Sequence, residues 1–95
     1  MLNQVILFGR VEIVDDKNTS IVLRVSRDVK NKEGIYEDDY IGIELPDKLS
    51  KNSIKYLEAG TLVRVKGRVV GRNGKISIAA ETLSFLPTKV KKEEE

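Results

Sequence analysis

The sequence predicts an all-β domain in which five short strands form a small barrel and one short helix separates the third strand from the fourth. Three observations carry that expectation. Apolar residues alternate with polar ones in five stretches, Gly, Asn, Asp and Pro gather in the gaps, and the alternation breaks down after Pro46. Ninety-five residues suit one domain with a small core, because a chain this short buries only roughly 60 to 65% of its unfolded surface.

Residues 2–14 make the first expected strand. Val5, Leu7, Val11 and Ile13 share one face, Ile6, Phe8, Arg10 and Glu12 the other, and Gly9 marks a place for a bend or bulge. Asp15-Asp16-Lys17-Asn18 supplies turn chemistry before a second strand over residues 19–29, with Ile21, Leu23 and Val25 opposite Val22, Arg24 and Ser26. The next turn runs from Lys30 to Gly34. In the third strand, residues 35–45, Ile41, Ile43 and Leu45 oppose Tyr40, Gly42 and Glu44, and Pro46 stops the ladder. Leu49, Ile54 and Leu57 no longer alternate, so residues 49–57 read as a helix that ends at Glu58-Ala59-Gly60, with Tyr56 packing it onto the barrel. The fourth strand, residues 61–70, sets Val63, Val65 and Val69 against Arg64, Lys66 and Arg68. Arg72-Asn73-Gly74-Lys75 reads as a tight hairpin because Asn-Gly tolerates positive φ. Residues 76–86 form the last strand before Pro87. The expected organisation is one domain over residues 1–86 and a short charged tail over 87–95, disordered, whose three lysines balance three glutamates.

Five strands with one helix after the third is the layout of an OB-fold, a five-stranded, partly open Greek-key barrel that recurs in oligonucleotide and oligosaccharide binders. A Sm-like or SH3-like barrel is the other reading of five short strands, although the first usually leads with its helix and the second seldom has one at this place. Such a fold does not by itself give function. The chain has no cysteine and no histidine, which removes the thiolate nucleophile, the commonest general base and the commonest zinc ligands. No enzyme, cofactor, metal or small-molecule substrate is expected. No run approaches the roughly 18 apolar residues of a spanning helix, and MLNQVILFGR lacks a basic leader and cleavage site, so the expected place is the cytoplasm and no membrane is expected as a partner. Net charge is +2, too small to announce a polyanionic partner without a favourable distribution.

The distribution offers several candidates. Arg64, Lys66 and Arg68 stand two residues apart, so an unbroken strand points all three away from the valines, as does any exposed face of a chain that is 34% charged. Gly67 allows a bulge that would turn Arg68 to another surface. Phe8 and Arg10 share a face suited to stacking a base and holding its phosphate, or to closing against a second subunit. Tyr40 opposes the inward isoleucines and can stack, though Glu37, Asp38, Asp39 and Glu44 surround it; cross-strand packing is its other use. Arg24, Arg27, Lys30 and Lys32 crowd the end of the second strand and its loop, as a basic arm or a solvated loop.

At this point "MLNQVILFGRV", "LRVSRDVKNKEGIYEDDYIGIELPDKLSKNSIKYLEAGTLVRVKGRV" and "ISIAAETLSFL" resemble, in order and spacing, the OB domain of the bacterial single-stranded DNA-binding protein family. The likeness covers residues 1–86. Its most specific parts are Asn3 with Val5, Leu7 and Gly9; Lys55-Tyr56-Leu57 with Gly60 and Val65-Lys66-Gly67-Arg68; and Glu81-Thr82-Leu83-Ser84-Phe85-Leu86. The resemblance implies sequence-independent binding and protection of single-stranded DNA in replication, recombination or repair, with a basic groove tracking the backbone and aromatics stacking bases. It implies a nucleic-acid surface made of Phe8, Arg10, Arg24, Arg27, Lys30, Lys32, Tyr40, Arg68, Arg72 and Lys75. It also implies a homo-oligomer, dimer or tetramer, assembled through the first strand, with Asn3, Val5, Ile6, Arg64 and Lys66 at the subunit contact.

The departures are as informative. The family stacks bases on several tryptophans, whereas this chain has none, and the corresponding positions hold Tyr40, Val29 and Pro46. The long arm between the last two strands is cut to Arg72-Asn73-Gly74-Lys75. Each missing platform removes roughly 1 to 3 kcal/mol of stacking. The family's glycine-rich linker and acidic, Phe-ended tail have no counterpart, so the expectation is a short, tail-less and tryptophan-free member. The other function kept open is an OB-fold interaction subunit of a replication or primosome complex, with weak or no DNA binding.

Overall fold

The computed structural model describes residues 1–15, 17, 19–49 and 56–86. Within them run β1 (Val5–Asp15), β2 (Ser20–Lys30), β3 (Tyr36–Glu44), β4 (Leu62–Arg72) and β5 (Lys75–Phe85). They close a barrel in the order β1-β2-β3-β5-β4, with β4 returning to pair with β1. Every pairing is antiparallel except β3 with β5, where Ile43 meets Ile78 and Glu44 meets Ala79. Helical backbone begins at residues 47–49, directly after Pro46, and so lies between β3 and β4. The architecture is the expected OB-fold barrel. Most of the expected helix, and the whole of the expected tail, lie outside the described residues.

The inner face follows the alternation for the reason that makes a strand amphipathic: successive side chains point to opposite sides of the sheet. Val11, Ile21, Leu23, Ile43, Val63 and Val65 are fully buried, and Leu45, Leu57 and Ala80 complete the core. Leu7, Val14, Val25, Ile41, Ile78 and Leu83 pack against it from partly exposed positions. Burying one such aliphatic side chain stabilises by about 1.5 to 3 kcal/mol, which is why the valine and isoleucine periodicity settles the architecture.

Three sequence expectations need correction. Ile13 is not inward: the β1–β2 ladder shifts register between Val11 and Ile13, Glu12 is the extra residue, and Val14 packs on the core instead. Ile13 is left 55% exposed. Gly9 is not the bulge. It is buried where a Cβ would collide with the carbonyl oxygen of Arg24, so its role is close strand approach. Tyr56 does not pack inward; it is 64% exposed, and Leu57 fills the core from that segment.

The β4–β5 hairpin is tighter than its four-residue signal suggested. Arg72 pairs with Lys75, so both are strand residues, and Asn73 and Gly74 turn the chain alone with φ of 53° and 79°. Positive φ at both central positions is the geometry that matches the twist of the flanking strands.

Candidate nucleic-acid interface

Directly opposed residues of neighbouring strands share a face, so the ladders define the outer surface row by row. Arg10 of β1 opposes Arg24 of β2, which opposes Tyr40 of β3. Three of the candidate residues thus form one row across three strands. Arg10 is steadied by donating from Nη1 to the carbonyl of Gly60 at 2.9 Å, and Arg24 lies 3.8 Å from Glu12. Tyr40 is 59% exposed. Phe8, on the same side of β1 as Arg10, extends the row, and with Ile6, Arg10, Arg24, Ser26 and Asp28 it lines a groove of about 500 Å³ between β1 and β2.

The adjacent row is apolar, and its Ile13 member was not legible in the sequence. Ile13 opposes Val22, which opposes Gly42. Ile13 belongs to this row only because the Glu12 bulge turns it outward. Bulges often re-aim side chains next to binding sites, and no alternation rule reveals this one. A Cβ at Gly42 would meet nothing within 4 Å, so the surface is open there, and Tyr40 and Ile76 border a notch of about 420 Å³ around it. Ile76, 74% exposed, adds an apolar side chain to the edge of that notch.

The basic arm is different from its expectation in charge balance. Arg27 donates from Nε and Nη2 to Asp39 at 2.8 to 3.2 Å and from Nη1 to Glu37 at 3.0 Å, while Asn31 also donates to Glu37. The hydrogen bond and charge of Asp39 raise the Arg27 pKa above its ordinary value, and the same bond holds the Asp39 carboxyl below its own. Lys30 lies 5.5 Å from the centre of the Tyr36 ring. From Ser26 to Asp39, Arg27, Lys30 and Lys32 face five carboxylates, Asp28, Glu33, Glu37, Asp38 and Asp39, so the arm carries net negative charge.

The remaining candidates lie along β4. Ile6 opposes Lys66 and Phe8 opposes Arg64, so the apolar run of β1 abuts the first two cations of the stripe. Asn3 acts within the chain: its amide donates to the Val69 carbonyl at 2.8 Å and accepts from the Val69 N–H at 2.9 Å, replacing one rung of backbone pairing. The irregularity expected at Gly67 is present, but the extra residue is Glu81 of β5, since Lys66 opposes Thr82 and Gly67 opposes Ala80. Gly67 is required because a Cβ would strike the carbonyl of Ala79. The stripe therefore does not split there. Lys66 and Arg68 reach the same Glu81 carboxylate, at 3.8 and 3.9 Å. Arg72 donates to Oε2 of Glu44 at 2.8 Å, and Ser77 donates to the same oxygen at 2.7 Å. Those bonds, Arg72 first, hold the Glu44 carboxyl below the usual range. Arg68, Arg72, Glu44 and Glu81 line a trough of about 860 Å³ with Ala79 and Ala80.

No group of three or more metal-ligating side chains occurs among the described residues. The fold and its outer surface define an OB-fold barrel that displays exposed rings and arginines side by side. No family model matches the chain. It is 37% identical over 81 residues to single-stranded DNA-binding protein B of Bacillus subtilis, an alignment spanning 77% of this chain and 72% of that protein. The crystal structure of the single-stranded DNA-binding protein from Thermus aquaticus superposes with a TM-score of 0.75 at 21% identity, over 94% of this chain and 52% of that one. A Plasmodium falciparum single-stranded DNA-binding protein in complex with single-stranded DNA superposes at 0.66 and 22% identity, over 90% and 96% of the two chains. This chain belongs to the bacterial single-stranded DNA-binding protein family.

Proposed function

We propose that this protein binds single-stranded DNA without sequence preference and without catalysing a reaction, in the cytoplasm, in support of replication, recombination or repair. The observation that carries this reading is the row Arg10–Arg24–Tyr40 beside the open notch at Gly42. Every base has a π-face, so a ring next to arginines takes any sequence, at about 1 to 3 kcal/mol per stacked base. Phe8 offers a second ring and Ile76 an apolar wall, which supports a short track of a few bases in place of missing tryptophans. The barrel, residues 1–86, is the binding domain in this reading. The family relationship supports it over an interaction subunit without DNA affinity.

Assembly belongs to the same proposal. Val5–Gly9 pair with β4 alone among the described pairings, and Ile6 is exposed beside Lys66. A second copy covering the Val5–Ile6 end of β1 and leaving Phe8 open would yield the expected dimer or tetramer, with Arg64 and Lys66 beside the contact.

Titration with fluorescent oligo-dT at several salt concentrations tests the binding. The expected result is micromolar or tighter affinity that falls steeply with salt and exceeds that for duplex of equal length. No binding at about 50 mM salt, or equal binding of duplex, overturns it. Mass measured by light scattering, with and without oligo-dT, tests the assembly.

A further inference from the structure

We propose that Glu44 and Glu81 are intramolecular counter-ions that set the affinity of the β4–β5 trough by occupying the arginines an incoming phosphate needs. This rests on the single-stranded DNA reading above. Arg72 is held by a carboxylate oxygen 2.8 Å away that Ser77 also pins, so its guanidinium already has the partner it would otherwise find on a phosphate. Arg68 and Lys66 share Glu81 at longer range. Arg68, Arg72, Glu44 and Glu81 line one trough, where the small side chain of Ala79 leaves room for a chain to lie along it. The extra residue of the β5 bulge is Glu81 itself, so the irregularity falls where a carboxylate stands 3.8 and 3.9 Å from two cations of β4.

Phosphate binding here is therefore an exchange. The arginine leaves its glutamate for the phosphate, and the glutamate remains nearby as a repelling charge, so the trough contributes less affinity than its cations alone would. Glu44 and Glu81 are positioning residues in this scheme, acting through Arg72 and Arg68.

The experiment measures oligo-dT affinity and its salt slope for the full chain, Glu44→Gln, Glu81→Gln and the double variant, with Glu33→Gln, in the turn between β2 and β3, as the control for net charge. Each trough variant is expected to tighten binding about threefold, the double about tenfold, with a salt slope steeper by up to about one unit per glutamate removed. Glu33→Gln is expected to shift affinity by less than about 1.5-fold. In an Arg72→Ala background the gain from Glu44→Gln disappears. If the native chain binds but the trough variants match Glu33→Gln, the counter-ion inference falls and the binding reading stands. If the gain survives Arg72→Ala, general repulsion explains it and the inference again falls. Failure of native chain and double variant alike to bind overturns both readings, whereas binding by the double variant alone upholds the counter-ions.

Discussion

The β1–β2–β3 surface and the β4–β5 trough both present arginines, yet only their neighbours decide what those arginines can do. On the first surface Arg10 is oriented by a neutral carbonyl and keeps its charge to offer in the row of Tyr40, while Arg24 stands 3.8 Å from Glu12, about as far as Lys66 and Arg68 stand from Glu81. In the trough, Arg72 is locked onto Glu44, and Arg68 shares Glu81 with Lys66. The arm repeats the second pattern with Arg27 between Asp39 and Glu37. Counting cations along a strand therefore overstates the positive potential. What matters is which cations lack a carboxylate across the ladder.

Each surface rests on a glycine, and exchanging those glycines breaks the comparison most severely. Gly9→Ala forces a Cβ into the Arg24 carbonyl beneath the first surface, and Gly67→Ala forces one into the Ala79 carbonyl beneath the second. Each is expected to lose about 2 to 3 kcal/mol in denaturant unfolding, because backbone atoms must move rather than a flexible side chain. Tyr40→Ala comes next. It is expected to weaken oligo-dT binding by about tenfold or more, the loss of one stacked base, while Tyr40→Phe keeps the platform. Arg68→Ala with Arg72→Ala is expected to cost a few-fold in affinity and to flatten the salt slope by about one to two units without changing the oligomer. Arg64→Ala with Lys66→Ala is expected to act on mass in solution more than on affinity, as gel filtration reads directly.

The smallest effect is on stability at low pH. Asp39 has a folded pKa below its ordinary 3.8 because Arg27 hydrogen-bonds its charged form. Its pairing is fully present above that ordinary value and is lost as pH falls through the lowered one. Melting temperature of the native chain is expected to drop below about pH 4, and the gap between it and Asp39→Asn to close there. A constant gap down to pH 2 would mean that the pair adds nothing.

Much of the site was legible because exposed strand residues are placed by parity. Phe8, Arg10, Arg24 and Tyr40 could be put on outer faces from alternation alone, and the ladders bring all four together. The outward turn of Ile13 and the parts played by Gly42 and Ile76 could not be read that way. Ile13 faces out only because one extra residue shifts the β1–β2 register, Gly42 matters for a space rather than a side chain, and Ile76 becomes a neighbour of Tyr40 through the parallel β3–β5 contact. The partition of Arg64, Lys66 and Arg68 failed in its stated cause for a similar reason: the extra residue was in the partner strand, where inspection of β4 cannot find it.

The sequence by itself determined the five strands, the inward valines and isoleucines other than Ile13, and the Asn73-Gly74 turn, since each depends on a period of two or on the allowed φ of one or two residues. Tertiary structure alone decided which arginine meets which carboxylate. Glu44 and Arg72 are 28 positions apart and meet across β5, and Arg27 reaches Asp39 where the β2–β3 ladder shifts register. Charge pairing acts over a few ångströms between strands, and the order β1-β2-β3-β5-β4 that sets those distances exists only once the barrel has closed.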